Sequence, residues 1–542
     1  LTFLGLGLLL RLAYLSRWRF DSDEPQHLHV VWGWTKGLVQ YRDLFDNHTP
    51  LFHLLMAPIL MLVGERPDAL VFMRFAMLPL YLLSLWLTYL LARRLFNGRV
   101  ALFAAVLAGL HFEFFFKSLE FRTDDLWTVA WLVALVVAAS GPFSTRRVFA
   151  AAAVLGAALC ISMKTVLLAA ALAAAAALVA MLSPAVRCAL PPRRLGALTA
   201  AAAAGFLVLP MVLAGFFAAE GALGALAYGV ITHNLLPGLG DGRPSWFPLL
   251  LPVGAAAAAW LAAPPLREAG SDRIRMLRVL VLLTVALYVL VLFGVWSLVT
   301  SQDLLPVWPL AAIYLVAWIQ RREDQQSSGG WRVRPAWVLL AVLAVEVGLI
   351  VFRGPIWQDR GRKQTALLAE VLRLTDSADA VMDAKGETVF RRRPFFWVLE
   401  TITRERLRRG LIADTIPEAV VRARCYVALA DDKRLPPRGR AFLNANFVSV
   451  GHLRVAGCIL GVPPRAGVPL RFSIAIPGEY IVVTPHGPAV GELDGRLGAG
   501  PRFLTAGTHE FKAEGPPVPL AVVWAKAVAR GFSPFTPTST AP

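Results

Sequence analysis

The sequence predicts a polytopic α-helical membrane protein of about eleven transmembrane helices, followed by a C-terminal α/β region and a β-sandwich-like region. Of its 542 residues 57% are hydrophobic and the mean hydropathy is +0.59, which is too apolar for a soluble enzyme and too long for one domain. Up to residue 352, apolar runs of roughly the twenty residues that cross a bilayer recur between short polar loops. From 353 onward these runs stop, and short helix-like and strand-like segments alternate.

In order, the expected spans lie near 1–17, 69–92, 100–116, 126–142, 147–163, 165–183, 196–217, 246–263, 277–299, 303–319 and 336–352. No small-x-small cleavage site follows the first, so it is expected to remain a span. The stretch 50–64 is apolar but only fifteen residues long, which suits a re-entrant or interfacial helix. The net charge of +18 raises the question of nucleic acid, but its placement answers it. Arginines gather in alternate loops: Arg93, Arg94 and Arg99; Arg146 and Arg147; Arg187, Arg193 and Arg194; Arg267, Arg273, Arg275 and Arg278; and Arg321, Arg322, Arg332 and Arg334. The positive-inside rule makes these loops cytoplasmic and accounts for the charge without a nucleic acid partner. The first outer loop (18–68), the 117–125 loop and everything after 353 then lie outside.

Residues 147–183 are almost uninterrupted apolar yet join two arginine-bearing loops, so they must cross an even number of times. At about 1.5 Å per residue they make a two-span hairpin. Lys164 falls at its outer tip, as a ligand or as an anchor that snorkels.

Residues 320–335 form a polar linker before the last span. The organisation expected is a membrane domain over 1–352, an α/β domain over 353–463 and a β-sandwich-like domain over 464–542. TALLAEVLRL and PEAVVRAR read as helices, and AVMDA, CYVALAD, NFVSVG and LRVAGCIL read as strands. Cys425 and Cys458 fall in exported strand-like runs, where a disulfide is chemically allowed.

The polar stretch 21–58 carries the chemistry. Asp23 and Glu24 follow the first span, and an ionised carboxylate at a bilayer centre costs at least about 2.5–3.5 kcal/mol, so they sit at an aqueous face. Leu28, Val31, Trp32, Thr35 and Leu38 then recur at helical spacing, with Gln26, His27, Lys36 and Gln40 elsewhere on the turn, which predicts an amphipathic interfacial helix. Pro50 ends the following loop. A second polar group, Arg122-Thr123-Asp124-Asp125, opens a later helix, where carboxylates also favour the helix dipole.

These residues resemble the GT-C glycosyltransferases that use polyprenyl-phosphate sugars, such as the protein O-mannosyltransferases and the aminoarabinose transferase of lipid A. The family has an Asp-Glu pair after the first span, here Asp23-Glu24, and a basic-Pro-Pro-Leu element further on, here His48-Thr49-Pro50-Leu51 with His and Thr replacing Lys and the first Pro. Its Arg-x-Asp matches Arg122-Thr123-Asp124. The resemblance implies an inverting hexosyl- or pentosyltransferase acting on an acceptor hydroxyl of a lipid, glycan or protein. Its expected location is the bacterial cytoplasmic (inner) membrane, with the active site and C-terminal regions extracytoplasmic. Asp23 is expected as general base, with Glu24 orienting the acceptor and Asp124 completing the acidic side. Lys164, His48 and Lys36 are the candidates for the donor phosphate, in that order. Arg122, Asp125, His27, Tyr41 and His233 are placed in the substrate cavity, while Gln302 and Asp303 depart from the family pattern and their role is open. No His or Cys cluster has metal-ligand spacing, so no metal is expected to be obligatory, although some distant GT-C enzymes use a divalent cation. The alternative is a transporter or flippase of lipid-linked sugars, which would carry ionisable groups inside its spans.

Overall fold

The computed structural model describes residues 2–239, 252, 253, 256, 273–296, 298–325, 335–431 and 433–535. They form two compact units: residues 1–19, 47–59 and 71–360, and residues 20–46, 60–70 and 361–542. The helices in chain order are α1 (Thr2–Arg17), α2 (Asp23–Thr35), α3 (Leu51–Val63), α4 (Ala69–Leu95), α5 (Gly98–Leu110), α6 (Phe112–Lys117), α7 (Thr123–Ala139), α8 (Thr145–Ile161), α9 (Thr165–Leu182), α10 (Pro184–Ala189), α11 (Pro192–Ala219) and α12 (Leu223–Ala227). There follow α13 (Arg273–Val295), α14 (Trp308–Gln325), α15 (Pro335–Arg353) and α16 (Arg362–Leu374).

A helix stands at each expected span except 246–263, which, three positions apart, lies outside the described residues. Among the described residues four helices, α4, α9, α11 and α13, are long and apolar enough to cross a membrane, and the chain is a multi-pass membrane protein. The expected hairpin is present, with α8 and α9 meeting at Ser162–Lys164. The short apolar stretch at 50–64 is α3.

Small residues set the packing of the first unit, where lipid gives helices little hydrophobic reason to associate and close backbone approach matters. A Cβ on Gly156 of α8 would lie 2.2 Å from Phe206 O of α11, and one on Gly205 of α11 would lie 2.3 Å from Phe149 O of α8. Replacing Gly156 by Ala therefore forces two backbones apart. The expected cost is about 1–3 kcal/mol, read as a lower melting temperature in detergent, whereas Gly196→Ala, in open space on α11, leaves it unchanged.

Three charges within the expected spans, Arg11, Arg74 and Glu346, serve helix ends. Arg74 of α4 donates to the carbonyls of Leu15 (3.1 Å), Trp18 (3.0 Å) and Arg19 (2.8 Å), which close α1. Arg11 of α1 donates to Phe115 O at 2.9 Å and Ser118 Oγ at 3.0 Å at the end of α6. Glu346 of α15 accepts from Phe112 N at 2.9 Å, at the start of α6.

The second unit contains strands β1 (Val381–Met382), β2 (Val427–Leu429), β3 (Phe447–Val450), β4 (Leu453–Gly461), β5 (Pro469–Ile474), β6 (Gly478–Thr484), β7 (Gly487–Pro488), β8 (Gly491–Leu493), β9 (Arg496–Gly498), β10 (Arg502–Leu504), β11 (Gly507–Ala513) and β12 (Leu520–Trp524). One sheet runs β1-β2-β4-β12-β6-β10, with β3 added on β4 and β7 on β6; the other runs β5-β11-β8-β9. The expected strands are all found, but β12 pairs antiparallel with β4, Val522 opposite Cys458. The regions expected on either side of 463 thus share one sheet and one core, in which Val427 and Val455 are buried with Val482, Val522 and Phe511. The four cysteines are free, Cys425 and Cys458 included.

Helix α2 also belongs to this unit, and it differs from the expected amphipathic surface helix. Every residue from Glu24 to Gly33 is buried, Gln26, His27 and His29 included. A helix covered on all sides has no solvent stripe, so its polar residues need protein partners, and hydropathy spacing cannot show them.

Candidate active site

In the first unit, one buried cluster gathers residues from four separate stretches. Asp124 stands in the first turn of α7, and Nε of Arg122, the extended residue just before that helix, donates to Asp124 Oδ2 at 3.2 Å. Lys164, between α8 and α9, places Nζ 3.6 Å from Asp124 Oδ1 and pairs with Asp303 Oδ1. Asp303 lies in a 3₁₀ turn, Ser301–Leu304, whose capping box fixes it: Thr300 N donates to Asp303 Oδ2 at 2.8 Å. Trp127 Nε1 donates to Thr165 Oγ1 at 2.9 Å, tying α7 to α9 beside the lysine. His48 lies within electrostatic reach of Asp124. Next to Asp303, Gln302 Nε2 reaches Glu120 Oε2 at 3.4 Å, and Lys117 Nζ pairs with Glu120 at 2.9 Å.

An apolar cavity of about 840 Å³ opens in the same unit. Its walls include Met163, Val166 and Leu167, which flank Lys164, and Thr49 and Pro50, which follow His48. Asn234 also lines it and donates to Asn47 O at 2.9 Å, holding the chain just before His48. Two further residues expected in the cavity are not among these cluster contacts. Asp125 is buried, and both its oxygens lack a hydrogen-bond partner among the described residues. His233 is buried at the end of the π-turn Tyr228–Thr232, its ring 6.1 Å from that of Tyr228.

The Asp-Glu pair is in the second unit, in the first turn of α2. Glu24 is fully buried and accepts from Asp21 N at 2.8 Å. Asp23 remains partly exposed, and Lys385 Nζ pairs with its Oδ1 while donating to Ser22 Oγ at 3.2 Å. His27 is buried in α2, and Tyr41 is buried with φ +73°, a left-handed conformation uncommon outside glycine.

Lys36 is placed elsewhere. It follows the end of α2 and pairs with Glu65 at 2.9 Å. Trp32 Nε1 (3.0 Å) and Arg391 Nη1 (3.0 Å) reach the same carboxylate. Burial works against the charge of Glu65, but Lys36, Trp32 and Arg391 together hold it below the usual carboxylate range.

Sequence reasoning left Asp303 without a role and missed Lys385. Thr300-x-x-Asp303 has capping-box spacing, which marks a fixed turn but not the partner of its acid. Lys385 carries no local signal, because only the tertiary fold brings it to Asp23.

The comparisons with known proteins agree with this architecture. The family model for dolichyl-phosphate-mannose-protein mannosyltransferase matches residues 47–213, which hold His48, Asp124 and Lys164. The crystal structure of ArnT from Cupriavidus metallidurans bound to undecaprenyl phosphate superposes with a TM-score of 0.57 at 13% identity, covering 84% of this chain and 97% of that one. Its apo state gives 0.53 at the same identity and coverage. The fold is GT-C-like. The archaeal oligosaccharyltransferase of Archaeoglobus fulgidus is more distant, with a TM-score of 0.45 at 10% identity over 95% of this chain and 76% of that one. Among curated proteins none matches the chain in sequence. The GT-C resemblance read from the Asp-Glu pair and the Arg-x-Asp is therefore borne out in the fold and, over 47–213, in the family model.

Proposed function

We propose that the protein is a membrane glycosyltransferase that moves a hexose or pentose from a polyprenyl-phosphate donor to an acceptor hydroxyl of a lipid, glycan or protein. The observation that carries this reading is the apolar cavity whose walls flank Lys164, itself set among Asp124, Asp303 and Arg122. Such a cavity suits an isoprenoid chain, and the adjoining cations suit its phosphate. Arg11, Arg74 and Glu346, the charges of the spans described above, are spent on helix ends. A transport path would need such groups along it.

In the proposed reaction the acceptor oxygen forms a bond to the anomeric carbon as the bond from that carbon to the phosphate oxygen breaks. Polyprenyl phosphate leaves with the bonding pair. Lys164 and Arg122 meet the negative charge that grows on the leaving oxygen, and His48 adds a further positive contact when protonated. Asp23 takes the acceptor proton, and Glu24 orients the acceptor. Displacement in one step inverts the anomeric configuration. The site is proposed to face the outer side of the bacterial inner membrane, with the amino terminus cytoplasmic and about eleven spans, as the arginine-rich loops require.

Purified protein in lipid nanodiscs, given a labelled polyprenyl-phosphate sugar, is expected to release polyprenyl phosphate and yield a product of inverted anomeric configuration by NMR. The reading needs no metal, so a chelator is expected to leave the rate unchanged. Transport of intact donor across the bilayer with no cleavage would overturn the proposal in favour of a flippase.

A further inference from the structure

The loop 383–389 of the second unit is built more rigidly than a connection between strands requires. The Asp383 carboxylate accepts from Gly386 N (2.9 Å), Thr388 N (2.9 Å), Thr388 Oγ1 (2.7 Å) and Arg393 Nε (2.6 Å). Burial opposes its charge, but Arg393 and the Thr388 donors hold it below the usual carboxylate range. Gly386, at φ +80°, lies against α2 so closely that a Cβ there would stand 3.0 Å from His29 Cβ and 3.3 Å from Gln26 Cα. Val389 is buried in a left-handed conformation, φ +47°, which costs a β-branched residue about 1–3 kcal/mol. His29 Nδ1–H holds it there by donating to Val389 O at 2.7 Å. Burial pushes the pKa of His29 down, against the opposing pull of Asp383. What this construction delivers is one side chain, Lys385, to Ser22 Oγ and Asp23 Oδ1.

We infer that Lys385 is a positioning residue for Asp23, its ammonium holding that carboxylate ionised and in one orientation at the start of α2. This deepens the glycosyltransferase reading and rests on it for the consequence, a base kept ready for the acceptor hydroxyl. The pair is largely withdrawn from water, with 10% of the Lys385 side chain and 20% of the Asp23 side chain exposed. A cation there acts on the carboxylate more strongly than a surface partner does. Acidic groups on both sides of the pair are held by other partners among the described residues. Asp21 Oδ1 accepts from Asp23 N at 3.1 Å, and Glu24 accepts from Asp21 N. On the loop side Glu387 pairs with Arg434 at 2.9 Å, and Asp383 pairs with Arg393 at 2.6 Å.

The test uses the full-length protein and two readouts. Carbodiimide couples an amine to a protonated carboxyl, and peptide mass spectrometry reads the extent at Asp23 against pH without needing turnover. In Lys385→Met the midpoint of coupling is expected to rise by about one pH unit or more, while Lys385→Arg keeps the parental midpoint. In donor turnover the acid limb of the pH–rate profile moves up with that midpoint in Lys385→Met, and Lys385→Arg restores it. If Lys385→Met does not fold, Lys385→Gln, which can still donate to Ser22 Oγ, gives the same comparison. A coupling midpoint that coincides with the parent's in a folded, neutral Lys385 variant overturns the inference. If the midpoint moves but Asp23→Asn turns over donor at full rate, the positioning stands and the base assignment falls.

Discussion

Asp23→Asn is expected to lower transfer by about 10²–10⁴-fold, the contribution of a positioned general base. The amide keeps the size and the place of Asp23 in the first turn of α2, but it cannot take the acceptor proton. Because that proton moves in the transition state, the loss should appear in kcat, with the KM for donor little changed. The substitution also strips Lys385 of its partner, and an unpaired buried charge is destabilising. The melting temperature must therefore be followed alongside the rate. The double variant Asp23→Asn with Lys385→Met removes both charges, so its stability should recover while its rate does not. Full-rate transfer by a folded Asp23→Asn protein would remove the base assignment.

The second large effect is expected at Lys164. Lys164→Met takes from buried Asp124 and Asp303 the cation they share and leaves Arg122 paired with Asp124, and removing one member of a buried ion set typically costs about 3–5 kcal/mol. The same change removes positive charge from the place proposed for the departing phosphate, worth about 10²–10³-fold in rate. Pairing it with Asp303→Asn separates the two effects. The double variant regains charge balance and should melt near the parent, yet turnover of labelled donor should remain low. Lys164→Arg keeps the charge and is expected to fall between parent and Lys164→Met. Parental turnover in the folded double variant would show that the cluster serves stability alone.

Much of the membrane half was legible because hydropathy reports what each segment faces. The run 147–183 predicts two crossings, and α8 and α9 turn at the lysine so predicted. Short apolar runs likewise mark strands, down to LRVAGCIL as β4. What escaped was pairing between distant segments. Nothing local in LRVAGCIL says that it will bond to β12, and spacing in α2 suggested a surface helix although protein covers it on every side. At the candidate site, Arg122 and Asp124 were picked out by motif. Asp303 and Lys385 were not, because a counter-charge is defined by its partner and the partner is remote in the chain. Lys36 shows the converse, a cation near the motif that Glu65 claims first.

The second unit is stitched from three stretches, of which residues 20–46 are synthesised long before residues 361–542. Until that later segment emerges, Gln26, His27 and His29 lack the core that encloses α2 in the finished protein. Contacts of such sequence separation form late and slowly. Biogenesis therefore holds the Asp-Glu turn unfinished until the last third of the chain arrives. An unfinished or prematurely terminated product carries Asp23 without its partner Lys385.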